Sequence, residues 1–143
     1  EAVVSDWITI TQEETDTFAK LTDDWALMHN DPEWAAKSPW GGTIVQGYHV
    51  MSLFPSMLDY LPLPKMDDDN DYALNYGLNR VRIINVLRVG HPFRIHTEVL
   101  EILDKGENRY LTTLQFTVEI KDEEKPMMVA EILIYLGFDQ KIV

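Results

Sequence analysis

The stretch on which the fold turns is Gln46-Gly-Tyr-His-Val-Met-Ser-Leu-Phe-Pro-Ser-Met-Leu-Asp-Tyr-Leu61. Val50, Leu53, Phe54, Met57, Leu58 and Leu61 recur at helical spacing, and Tyr48 and Met51 widen the apolar stripe. A helix that is apolar on several sides is covered on several sides. Pro55 interrupts the pattern, because an interior proline removes a hydrogen bond at a cost of about 3 kcal/mol. The helix is therefore expected to bend at Pro55 or to have other boundaries. Leu61-Pro-Leu-Pro64 ends it, and Met66–Asp71 reads as an acidic surface loop.

Beyond that loop the period changes to two. Leu74, Tyr76 and Leu78 alternate, and Val81 and Ile83 continue on the other parity, which predicts a long strand with a bulge. Phe93–Val99, Leu114–Ile120 and Met127–Leu136 follow, separated by turns at Asp104–Asn108 and Lys121–Lys125. On the N-terminal side, Trp7–Ile10 is a short β-like lead. Thr11 and Glu14 form a capping-box pattern opening a helix toward Leu21. Asp23–Asn30 lacks a clean period and reads as a loop. Asp31-Pro32 starts a short helix through Ala36, broken by Ser38-Pro-Trp-Gly-Gly42. One buried helix ahead of long antiparallel strands is an α+β layout, and the economical packing is a curved antiparallel sheet wrapped around a long central helix.

The 143 residues suit a single domain spanning 1–143. With no cysteine, disulfides, thiolate nucleophiles and Cys-based metal sites are excluded. The formal net charge of −12 disfavours nucleic acid and acidic membrane surfaces as partners. No apolar run is long enough to span a membrane, and the opening residues lack a secretion-signal pattern, so the cytoplasm is expected. An anionic ligand needs a local basic patch, and Arg80, Arg82, Arg88 and Arg94 supply one.

Of the four histidines, none forms an HxH or HExxH pair, so no metal site is expected. His91 and His96 open a strand and read as surface or packing residues, and His49 as a structural residue of the central helix. His29 follows Asp24 by five residues. On an ideal helix that spacing separates them by about 140°, but on an irregular loop they can face one small space. A carboxylate and an imidazole there can activate water; most such pairs in loops are merely solvated. Gly47 leads into the central helix, whose first N–H groups are unpaired and partly positive, a place to polarise a thioester carbonyl. A plain turn before a helix is the commoner reading of that feature.

Taken together, Phe18–Leu53 resembles the MaoC-like dehydratases, which include the (R)-specific enoyl-CoA hydratases and have the hotdog fold. The resemblance lies in Asp24-Trp-Ala-Leu-Met-His29-Asn-Asp31-Pro32-Glu-Trp-Ala35-Ala36 and in Gly41-Gly42-Thr-Ile-Val-Gln46-Gly47. It extends, in a branch similar to nodulation protein N, through Ser52-Leu-Phe-Pro55, Leu74-Asn-Tyr-Gly-Leu-Asn-Arg-Val-Arg82, Lys125-Pro126 and Val129-Ala-Glu131. That branch carries a proline in its helix, which accounts for Pro55. The family glycine before the catalytic aspartate is Asp23 here, its polar residue two after that aspartate is Ala26, the next aromatic or proline is Leu27, and its histidine before the glycine is Gln46.

The resemblance implies reversible hydration of a trans-2-enoyl thioester, a coenzyme A ester in the leading reading, to the (R)-3-hydroxyacyl product. Asp24 and His29 would be the acid–base pair and the Gly47 N–H the oxyanion donor. Trp25, Trp40, Leu53 and Met57 are candidates for the acyl pocket, and Arg80 and Arg82, two apart on a strand, for the coenzyme A phosphates. No cofactor is implied beyond the coenzyme A of the substrate. A homodimer joined edge to edge is expected, with the acyl groove near the interface. A hotdog thioesterase and a non-catalytic acyl-thioester binding subunit are the alternatives.

Overall fold

The computed structural model describes residues 1–140. In chain order it comprises β1 (Val3–Val4), α1 (Gln12–Thr22), α2 (Leu27–Asn30), α3 (Pro32–Ala36) and α4 (Gly47–Met51). A 3₁₀ segment (Phe54–Tyr60) follows, then β2 (Tyr72–Ile83), β3 (Phe93–Gly106), β4 (Arg109–Ile120) and β5 (Met128–Gly137). The strands form one sheet in the order β1-β3-β4-β5-β2, with every pair antiparallel.

Period-two alternation decides which face is inside. Leu114, Phe116, Val118 and Ile120 of β4 are buried, as are Met128, Ala130, Ile132, Ile134 and Leu136 of β5. The register sets Leu114 opposite Ile132, Phe116 opposite Ala130 and Val118 opposite Met128, so the two apolar rows lie side by side. The pairing of β2 with β5 slips between Asn75 and Gly77 and again between Leu78 and Arg80. The second of these irregularities falls at the parity change seen in the sequence.

Against the inner face lies the Gly47–Tyr60 segment, which is not one long helix. The α-helix covers only Gly47–Met51, and Phe54–Tyr60 is 3₁₀ with Pro55 in its first turn, where a missing N–H costs nothing. Two hydroxyls mark the break: Ser52 Oγ donates to His49 O and Ser56 Oγ to Leu53 O. The tighter segment still plugs the sheet. Phe54 stacks on Phe116 with ring centroids 4.3 Å apart and planes 1° from parallel.

The expected lead Trp7–Ile10 is only an isolated bridge from Ile8 to Phe93, the strand lying at Val3–Val4. β3 runs on to Gly106 through the first part of the expected turn, whereas the helix caps agree with their local signals. Thr11 and Glu14 close the capping box of α1, and Asp31 caps α3 through the Trp34 N–H. Within the expected loop Asp23–Asn30, however, Leu27–Asn30 is a helical turn, too short for a period to register. Among the described residues no helix is long and apolar enough to cross a membrane.

Candidate functional site

The last turn of α1 delivers Asp24. Asp23 closes the helix in the left-handed conformation (φ 56°), and the Asp24 N–H donates to Ala19 O at 3.0 Å. Glycine adopts that conformation without strain, while aspartate is among the few others that do so readily. The chain then leaves the helix axis, and Asp24 emerges exposed, its carboxylate without a hydrogen-bond partner among the described residues.

His29 sits three residues inside the next structured turn and is buried, 7% exposed. Its Nδ1 lies 2.7 Å from Ile44 O. A carbonyl oxygen only accepts, so Nδ1 carries the proton, and in the neutral ring Nε2 is left with a lone pair. That is the tautomer a general base requires.

Four side chains that the sequence reading passed over hold this ring's backbone in place. Gln12 Nε2 donates to His29 O at 2.8 Å and to Asp16 Oδ1 at 2.9 Å. Asn30 Nδ2 donates to the same Asp16 oxygen, and the Ala26 N–H donates back to Asn30 Oδ1. Thr43 Oγ1 donates to Gln12 Oε1 at 2.6 Å. The one sequence signal for them is Gln12 and Asp16, polar residues four apart on one helix face.

The Thr43–Val45 segment links His29 to α4. Ile44 N–H donates to Met28 O at 2.9 Å, and Val45 N–H donates to Leu87 O at 2.8 Å. Held on both sides, this segment carries Ile44 O to His29 and leads within three residues to Gly47, the first residue of α4. The Gly47 and Tyr48 N–H groups find no protein acceptor among the described residues. A Cβ at Gly47 would come within 2.5 Å of Ile83 Cδ1, the tip of an exposed side chain on β2 that would have to turn aside.

Of the other histidines, His49 lies in α4 and His91 and His96 stand apart from this group. His49 stacks on Phe18 with centroids 4.5 Å apart, and burial holds its pKa below the usual histidine range. His91 Nε2 contacts Lys121 O, and His96 pairs with Glu119. Among the described residues no cluster of three or more His, Asp or Glu is placed to hold a metal.

The arginines divide. Arg94 is bound to Glu119 and lies over the Trp7 ring, and Arg88 donates to Gly41 O and packs over Gly42. Arg80 and Arg82 make no ion pair among the described residues, and both line a cavity of about 360 Å³ on the sheet with Ile84, Gln115 and Glu131.

An apolar groove of about 450 Å³ runs beside α4, between Tyr48, Met51 and Pro55 on one side and Tyr76, Leu78 and Ile132 on the other. None of the four sequence candidates for an acyl pocket lines it. Met57 is core, 1% exposed, and Leu53 packs against that core. Trp40 is half-buried in the turn after α3, and Trp25 is exposed beside Asp24. Helical spacing identified Met57 and Leu53 as inward-facing, but it does not distinguish packing from lining.

The profile of the MaoC-like domain family matches residues 1–120. The chain is 38% identical over 130 residues to 3-hydroxyacyl-thioester dehydratase Z of Mycobacterium tuberculosis, covering 91% of this chain and 84% of the relative. It is 37% identical to nodulation protein N of Rhizobium leguminosarum bv. viciae over 94% of this chain and 83% of that protein. Among solved structures, the (R)-hydratase of A. caviae involved in PHA biosynthesis superposes with a TM-score of 0.76 at 20% identity, covering 94% of this chain and 92% of that one. This last likeness shows the hotdog fold.

Proposed function

We propose that this chain, which belongs to the family of MaoC-like domains, adds water reversibly across the C2–C3 double bond of a trans-2-enoyl thioester to form the (R)-3-hydroxyacyl thioester. One observation carries the reading: His29 is buried, tied through Nδ1 to Ile44 O, and so presents Nε2 as a base. Asp24, five residues upstream and with a carboxylate that has no hydrogen-bond partner among the described residues, completes the acid–base pair. The name of the Mycobacterium relative, a 3-hydroxyacyl-thioester dehydratase, supports the same chemistry.

The steps balance without an added reagent. The water oxygen bonds to C3 as its proton passes to the His29–Asp24 pair. Negative charge develops on the thioester oxygen, against the unpaired Gly47 N–H. The pair then returns a proton to C2. No cofactor enters beyond the coenzyme A of the substrate.

The remaining parts follow from shape and charge. The acyl chain lies in the apolar groove beside α4, which places Tyr48, Met51 and Pro55 rather than Leu53 and Met57 along it. Arg80 and Arg82 meet the coenzyme A phosphates, as a pair of cations without an ion pair among the described residues on a chain of net charge −12. The protein is a homodimer joined along β2, an edge strand whose Leu74, Tyr76 and Leu78 are more than half exposed. Light scattering reads this directly, and a monomer at micromolar concentration removes the dimer.

The activity is tested with crotonyl-CoA, following the absorbance of the conjugated double bond. Loss of that absorbance with an (R)-3-hydroxybutyryl product is expected. Release of free thiol instead replaces the reading with a thioesterase, and no reaction with retained binding replaces it with a binding subunit.

A further inference from the structure

Beneath the first turn of α4, two buried polar atoms have no hydrogen-bond partner among the described residues: Gln46 Oε1 and His49 Nδ1. Neither is a surface accident. Gln46 is 3% exposed, and its Nε2 donates to Thr15 O of α1 at 3.0 Å. The carbonyl at the other end of that bond only accepts, so the amide orientation is settled and Oε1 is the atom left over. His49, three residues on and hence on the same side of the helix, stacks on Phe18, itself three residues beyond Thr15. Gln46, which caps α4, and His49 within it thus face Thr15 and Phe18 of α1, and Gln46 and His49 contribute one orphan each. One of these atoms can only accept a hydrogen bond; the other can donate.

A buried unpartnered carbonyl opposes folding, and an apolar side chain of the same size at position 46 would avoid it. Retention of such groups marks a place where stability yields to another requirement. The residue following Gln46 is Gly47, whose N–H direction depends on how the start of α4 is held against α1.

We infer that Gln46 and His49 act as a coupled pair of positioning residues, the His49 Nδ1–H reaching Gln46 Oε1 across one water, since the two atoms make no direct hydrogen bond, and that this couple aims the Gly47 N–H. The inference rests on the hydration reading above. Burial keeps His49 neutral in support of that role, since the neutral ring can present Nδ1–H inward and Nε2 outward. The Thr15 tether fixes the amide, the amide fixes the imidazole tautomer, and the stacked ring holds the helix turn. Neither side chain touches the substrate.

The test uses Gln46→Met, which keeps the volume, and His49→Phe, which keeps the stack on Phe18. Each is expected to lower kcat for crotonyl-CoA about tenfold or more with KM within about twofold, because only the transition-state contact is misaimed. The double variant is expected to be no slower than the slower single one. The melting temperature is expected to hold or rise in Gln46→Met. Unchanged kcat in both variants overturns the proposal, as does a parallel loss of kcat and melting temperature. Should Gln46→Met fail to fold, His49→Phe carries the kinetic test. A ¹⁵N readout keeps the inference separate from the activity. Wild-type His49 is expected to carry its proton on Nδ1, and Gln46→Met to shift the tautomer and move the Gly47 amide resonance. An inactive wild type with these shifts sinks the hydration reading and leaves the couple standing. A His49 protonated on Nε2 and indifferent to Gln46→Met sinks the couple.

Discussion

His29 has two roles that one substitution can separate. Its Nδ1–H holds Ile44 O, and its Nε2 is the proposed base. In His29→Asn the side-chain amide Nδ2 occupies the branch where Nδ1 stood, so the donor to Ile44 O survives while the base is removed. His29→Ala removes both and leaves the buried Ile44 carbonyl unsatisfied, which costs about 1–3 kcal/mol. The lost ring adds a cavity term, for a total of about 2–4 kcal/mol. At about 3 °C per kcal/mol for a chain of this size, His29→Ala should melt roughly 6–12 °C lower. His29→Asn should melt within a few degrees of the wild type. General-base catalysis contributes about 10²–10⁴ in rate, equivalent to about 2.7–5.5 kcal/mol of barrier. Both variants should therefore lose kcat by that factor although only one loses stability. The assay is crotonyl-CoA hydration at 25 °C beside a calorimetric melt. If His29→Asn keeps kcat within threefold of the wild type, His29 is not the base and the burial of its ring is structural.

Asp24→Asn is expected to cost a few orders of magnitude in kcat, and combining it with His29→Ala should add little, since groups acting on one water are not additive. Asp23→Asn, by contrast, should retain most of the activity; the reverse pattern shifts the acid–base assignment by one residue. Replacing both Arg80 and Arg82 with Gln should raise KM for crotonyl-CoA several-fold at nearly constant kcat and leave a pantetheine ester unaffected. An equal loss with both substrates makes the arginines structural. The Arg94 and His96 side chains hold the Glu119 carboxyl below the usual range, Arg94 contributing most. A depressed carboxylate contributes stability above its unfolded value, about 4.3 for glutamate, and loses it as pH falls through the folded value. Glu119→Gln should therefore lower the melting temperature at pH 7 and converge on the wild type only as pH falls through the lowered folded value. A constant offset across that range refutes the pairing. The group is partly exposed, so the offset should be small.

Much of the fold lies in local patterns that a chain carries without its neighbours. The period-two rows of β4 and β5, the Thr11–Glu14 capping box, Asp31-Pro32 and the parity change in β2 are short-range features, and each corresponds to an observed element. Pro55 likewise announced a break, although the 3₁₀ form of the continuation, with Phe54 stacked on Phe116, is seen only in the tertiary structure. For the site, residue type and spacing singled out Asp24, His29 and Gly47. The tautomer of His29 was beyond their reach, because it depends on Ile44, fifteen residues away in the chain. The same holds for Gln12, Asp16, Asn30 and Thr43, whose bonds join segments that no period relates. Met57 shows the limit from the other side: a helical stripe says which residues turn inward, and the sheet decides whether they meet a groove or the core. Local backbone preferences and solvent exclusion act over a few residues, so the sequence determined the elements and their faces. Hydrogen-bond direction and cavity shape arise only where distant segments meet, so the tertiary structure alone decided how the His29 ring is held and where an apolar groove opens.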